Sequence, residues 1–70
     1  MVKRICVIGA GYWGKNHIKT LFRLGCLGGV VELDRDIIDS ISKSYDGVKV
    51  YQNLEESFKD SFDGYVIATP

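Results

Sequence analysis

Neither sign of charge is in excess in this sequence. Nine lysines and arginines face nine aspartates and glutamates, with no block of one sign. That removes the basic stripe of a nucleic-acid binder and the basic face of a membrane-surface helix, so neither partner is expected. Long apolar runs are missing too, and nothing approaches the roughly 20 residues of a membrane span. The basic pair Lys3-Arg4 leads only into a short apolar stretch before Gly9, which suits a strand better than a signal peptide. Cysteine is scarce: Cys6 and Cys26 are too few for a disulfide scaffold and lack metal-ligand spacing. Cys6 reads as a small apolar strand residue and Cys26 as a loop residue just past a helix, so a reduced, cytoplasmic setting is the expectation. No internal repeat or low-complexity segment is visible. No Ser/His/Asp or Cys/His nucleophile set can be assembled, and no metal site.

An apolar content of 46% marks a chain that folds, not a disordered one. Its pattern alternates strands and helices throughout. A first strand, near-continuous in apolar residues as befits a strand buried on both faces, is expected from Lys3 to Ile8. A first helix starts near Tyr12 to Gly14 and ends before Gly25, its C-cap. Gly14, Ile18, Leu21 and Phe22 form its inward stripe. A second strand covers about Gly29 to Leu33. A second helix follows, capped by Asp34 or Asp36, with Ile37, Ile38, Ile41 and Tyr45 on one face. After the Asp46-Gly47 turn comes a short strand, Val48 to Tyr51. Asn53 caps a brief third helix with Glu56 placed as in a capping box, and Leu54 and Phe58 are expected to face inward. A fourth strand, Tyr65 to Ala68, follows Asp63-Gly64. The order βαβαβαβ predicts an α/β parallel sheet with right-handed crossovers.

The glycines are where this pattern acquires a chemistry. Gly9-Ala10-Gly11-Tyr12-Trp13-Gly14 follows the apolar run Ile5-Cys6-Val7-Ile8 and opens the first helix. A G-x-G-x-x-G between a strand and a helix, with an acid after the next strand, is the dinucleotide-binding fingerprint of a Rossmann-like fold. Gly9 lets the chain turn, Gly11 lets a pyrophosphate approach the backbone, and Gly14 lets the helix lie close to the sheet. The helix start offers free N–H groups and the positive end of its dipole. The competing reading is a glycine-rich turn in a fold that has lost its ligand. Glu32 and Asp34 both lie at the right spacing for the acid, roughly 20 residues on. Glu32 directly follows Val30-Val31 at the strand end and is preferred, with Asp34 the alternative or merely a helix cap. A carboxylate there takes the ribose hydroxyls and repels a 2′-phosphate, so NAD is preferred over NADP. Arg35 is able to accept a 2′-phosphate, but a solvated first-turn residue is the favoured reading.

A chain of 70 residues is short for this architecture. Dinucleotide folds join two mononucleotide-binding halves, so only the N-terminal half of a Rossmann domain is expected here, with marginal stability of its own.

Gly9 to Gly14 and the continuation Lys15-Asn16-His17 resemble the opening of the Gfo/Idh/MocA oxidoreductases, the glucose–fructose oxidoreductase and inositol dehydrogenase group. Asp63 to Pro70 resembles that family's fourth strand and its Ala-Thr-Pro turn. Val30 to Asp34 resembles its second strand, with glutamate where aspartate is commoner. The resemblance implies an NAD-dependent dehydrogenase acting on a sugar or sugar-nucleotide hydroxyl. It implies pyrophosphate contacts by Gly9, Gly11, Tyr12, Trp13 and Gly14, ribose contact by Glu32, and a nicotinamide border of Ala68, Thr69 and Pro70. The family's substrate domain, through which homo-oligomers form, and its catalytic lysine in a Glu-Lys-Pro motif would follow beyond residue 70. No catalytic residue is therefore assigned within the chain. A non-catalytic nucleotide-sensing module is the other reading.

Several conspicuous residues have plainer readings. Trp13 either meets ligand or packs beside the loop. His17, one turn into the helix, is read as surface or structural rather than catalytic. Lys15 and Asn16 are read as solvated helix positions, and Tyr45, Tyr51, Phe58 and Phe62 as core or cover.

Overall fold

The structure, a computed structural model, describes residues 3–68. Four parallel strands form one sheet in the order β3-β2-β1-β4: β1 (Ile5–Ile8), β2 (Leu27–Val31), β3 (Lys49–Tyr51) and β4 (Gly64–Ile67). Between them run α1 (Tyr12–Arg23), α2 (Arg35–Ser44) and the single turn α3 (Leu54–Ser57). The expected α/β parallel sheet in βαβαβαβ order is therefore present.

Strand alternation divides the core. Val7 and Val30 point to one face, where they meet Ala10, Ile18 of α1 and Ile41 of α2. Cys6, Val31 and Tyr51 point to the other, under Ile8, Phe62 and Tyr65. Because β1 and β2 are covered on both faces, their sequences read as runs rather than as alternation.

Helix ends follow their sequence signals. Gly25 adopts a positive φ of 74°. Its N–H bonds the Phe22 carbonyl at 3.0 Å, and the Cys26 N–H bonds that of Leu21 at 2.8 Å, a Schellman closure of α1. Of the two cap candidates for α2, Asp34 does the work, with Oδ1 accepting from the Asp36 and Ile37 N–H groups. Asn53 caps α3 through Oδ1 at 2.8 Å from the Glu56 N–H.

Several expectations shift. β1 starts at Ile5 and β3 at Lys49, β4 runs Gly64–Ile67, and Phe22, expected in the inward stripe of α1, is exposed and edge-on to Tyr45 at 4.9 Å. β2 begins at Leu27 and ends at Val31, two residues earlier than Gly29 to Leu33 at both ends, which leaves Leu33 exposed. Gly28 and Gly29 belong to this strand because the Phe62 ring lies on them; a Cβ at either would stand 2.8 Å from a ring carbon. Phe58 is not inward: it is 61% exposed, and Leu54 is only partly covered. With α3 a single turn, the buried position falls to Ser57, whose hydroxyl donates to the Leu54 carbonyl at 2.5 Å.

Candidate functional site

At the carboxyl ends of the strands the chain leaves β1 toward one neighbour and β4 lies on the other side. This is the switch point where open α/β sheets form their binding crevice. A cleft of about 670 Å³ opens there. Gly9, Gly11, Tyr12 and Trp13 line it from the first turn, Glu32 and Asp34 from the end of β2, and Ala68 from the end of β4.

Each of the three glycines stands in a different physical setting. Gly9 turns the chain with a φ of 93°, while its N–H remains tied to the Val31 carbonyl at 2.8 Å. Gly14 is buried, and a Cβ on it would lie 2.0 Å from the Gly9 carbonyl oxygen, so glycine is required for α1 to start this close to the turn. Gly11 has an ordinary φ of −73° and nothing of the protein within 4 Å of where a Cβ would be. The fold itself makes no demand for glycine at Gly11. The empty space there fits a group that approaches the backbone from outside, as a pyrophosphate does.

The start of α1 is equally open. Gly11 offers no side-chain cap and the first turn holds no acid, unlike α2 and α3, whose N-caps are Asp34 and Asn53. The Tyr12 and Trp13 N–H groups have no acceptor among the described residues. Their rings pack edge to face at 5.3 Å and stand exposed over the cleft, Trp13 at 68%. No lysine or arginine lines the cleft among the described residues, so phosphate charge would meet backbone dipoles rather than cations.

Glu32 is held tightly. Its Oε1 accepts from the Ala10 N–H at 2.7 Å, and its Oε2 from the Leu33 and Asp34 N–H groups at 2.9 and 3.0 Å. The carboxylate therefore sits between the end of β2 and the glycine-rich turn. Asp34 borders the cleft while capping α2 through one oxygen, so both acids that the spacing admitted are at the site. Arg35, by contrast, is the exposed first residue of α2 and does not line the cleft. His17 is exposed and likewise outside it. Thr69 and Pro70 lie outside the described residues.

The sequence reading missed Gln52, Asn53 and Leu54, which close the cleft beyond β3. The signal was positional: they follow a strand's carboxyl end, and such loops border the crevice of an open parallel sheet.

The perturbed titratable groups lie in the α3-side core, away from the cleft. Burial pushes the Cys6 thiol up to about 11, keeping it protonated and unreactive at neutral pH. Burial and the hydrogen bond to Asp60 push the Tyr51 phenol up as well. Asp60 is held below its ordinary value by the Tyr51 hydroxyl and by Lys49, 3.2 Å away. Among the described residues no group of three His, Cys, Asp or Glu side chains converges as a metal site would need, and no helix is long and apolar enough to cross a membrane.

A four-stranded parallel sheet with alternating helices and a glycine-rich turn from β1 into α1 define a Rossmann-like α/β fold. Among solved structures the chain is similar to myo-inositol 2-dehydrogenase from Lactobacillus plantarum, with a TM-score of 0.89 at 22% identity. It is also similar to scyllo-inositol dehydrogenase from Lactobacillus casei with bound NAD(H) and scyllo-inositol, with a TM-score of 0.84 at 19% identity. All of this chain is covered in both cases, and it spans 22% of each solved chain. No protein-family model matches the sequence, and no curated protein matches it.

Proposed function

We propose that this chain is the adenosine- and pyrophosphate-holding segment of an NAD-dependent dehydrogenase of the Gfo/Idh/MocA group, acting on a sugar or cyclitol hydroxyl. The observation that carries the reading is Gly11: a glycine that the fold does not need, at the mouth of an uncapped helix, beside a carboxylate. Backbone N–H groups of the first turn of α1 hold the pyrophosphate, and Tyr12 and Trp13 shield it. Glu32 and Asp34 face the adenosine ribose and disfavour a 2′-phosphate, so NAD is preferred over NADP. Ala68, with Thr69 and Pro70, borders the nicotinamide, which supplies the hydride acceptor when bound. Arg35 stays solvated.

The similarity to a dehydrogenase with bound NAD(H) and a cyclitol supports both the cofactor class and the substrate class. Among the described residues the cleft offers backbone donors and ribose acceptors but no histidine or lysine, and in this reading proton transfer is left to other residues of the enzyme. In this reading a further domain binds the substrate.

The test is to titrate the 15N-labelled chain with ADP-ribose, which has the adenosine diphosphate but no nicotinamide. Amide shifts centred on Gly11, Tyr12, Trp13 and Leu33 are expected. Shifts confined to the α3 side of the sheet, or none at all, would overturn the assignment.

A further inference from the structure

Glu32 has three protein donors, and that number limits what it can do for a ligand. A carboxylate offers about four acceptor positions. Here Oε2 takes two backbone N–H groups from its own strand end, and Oε1 takes a third, from Ala10. Ala10 is buried and 22 residues away in sequence, and it sits between Gly9 and Gly11. Both Oε1 and Oε2 are thus engaged by the backbone before any ribose hydroxyl arrives.

We infer that Glu32 is a positioning residue for the glycine-rich turn, holding it in its phosphate-ready shape without ligand. Among the described residues the Ala10 N–H is the only donor of that turn bonded to a side chain, and the bond is short and charge-assisted. The Gly9 N–H is fixed from the other direction by the Val31 carbonyl. Two successive amides of the turn are therefore tied to the end of β2, one through backbone and one through the Glu32 side chain. The next, those of Gly11, Tyr12 and Trp13, have no acceptor among the described residues, and all three residues line the cleft. A single position still open on Glu32 admits one ribose hydroxyl, and the second falls to Asp34, whose Oδ2 is not used in capping α2.

The length of the side chain matters. An aspartate at position 32 would keep a carboxylate near the Leu33 and Asp34 N–H groups but would withdraw it by one methylene from Ala10. Glu32→Asp therefore separates the clamp from the mere presence of an acid. Glu32→Ala removes both.

The ligand arm of the test rests on the dinucleotide reading; the amide-exchange arm does not. In the unliganded chain the Ala10 amide should exchange with solvent far more slowly than those of Tyr12 and Trp13. Glu32→Asp should speed Ala10 exchange roughly tenfold or more while leaving the Val7 and Val30 amides protected, which also certifies that the variant is folded. Equal exchange at Ala10 and Trp13 in the natural sequence, or no change at Ala10 in Glu32→Asp, would overturn the inference. In the ligand arm, NADH is compared with 2′,3′-dideoxyadenosine diphosphate, which keeps the diphosphate but has no ribose diol. Weakening of both by a similar factor in Glu32→Asp supports the clamp. A loss confined to NADH makes Glu32 a ribose ligand alone and refutes it. Should neither compound bind the natural sequence, the dinucleotide reading fails and the exchange result alone decides the clamp.

Discussion

Gly11 and Gly14 are three residues apart in one motif, and they are glycine for opposite reasons. At Gly14 the neighbour is the protein, since a methyl group would overlap the Gly9 carbonyl. At Gly11 no protein atom lies within 4 Å of that position, and the residue lines the cleft. Substitution separates the two. Gly14→Ala should destabilise the chain by about 3 kcal/mol, as overpacking against rigid backbone does, and thermal unfolding followed by circular dichroism would read it. Gly11→Ala should leave the unfolding curve almost unchanged, because its φ suits alanine. It should nonetheless weaken NADH binding roughly tenfold or more, equivalent to about 1.4 kcal/mol. Equal losses of stability in the two variants would contradict this division. The motif announces both glycines from sequence, but only their surroundings tell which serves the fold.

Among the elements, the segment from Phe58 to Asp63 is held by groups that respond to pH. Asp60 accepts from the Tyr51 hydroxyl and from Lys49 on β3, and Arg4 stands 5.0 Å from the Phe62 ring. The folded pKa of Asp60 is lowered from its ordinary 3.8, by the Tyr51 hydrogen bond first and Lys49 second. Its stabilisation is thus complete above 3.8 and is lost as pH falls through the lowered folded value. Tyr51→Phe should flatten that acid limb of the stability curve, measured by urea unfolding at stepped pH; an unchanged limb would remove Asp60 from the account. Element order and type were legible because periodicity and caps agreed, as at Asp34, Asn53 and Gly25. The start of β2 at Leu27 was not legible, because Gly28 carries no apolar side chain to extend the run that begins at Gly29, and the Phe62 ring that lies on it comes from far along the chain. Phe58 was misread because a capping signal gives the start of a helix and not its length. A single turn turns Ser57 inward, not Phe58.

At the scale of the whole molecule, four strands place every carboxyl end on one side, and the cleft follows from that alone. Its walls are the β1–α1 turn, the end of β2 with both acids, the β3–α3 loop and Ala68. Of these, the turn and the acids could be read in advance, since glycine spacing and the acid after a strand are local signals. Gln52 to Leu54 carry only the general signal of following a strand's carboxyl end, and it takes the strand order β3-β2-β1-β4 to bring that loop to this cleft. The same order makes β4 an edge among the described strands, with Ile67 exposed beside Ile8.

The central claim is that this cleft takes a dinucleotide with its phosphates on the first turn of α1. Trp13, the sole tryptophan, stands in that turn at the cleft, so its fluorescence reports the site without a label. The most direct measurement is a titration with NADH and, in parallel, NADPH, following Trp13 quenching while circular dichroism verifies the folded state. Saturable quenching by NADH, weaker with NADPH, is the predicted result. A folded chain whose Trp13 emission responds to neither would contradict the claim.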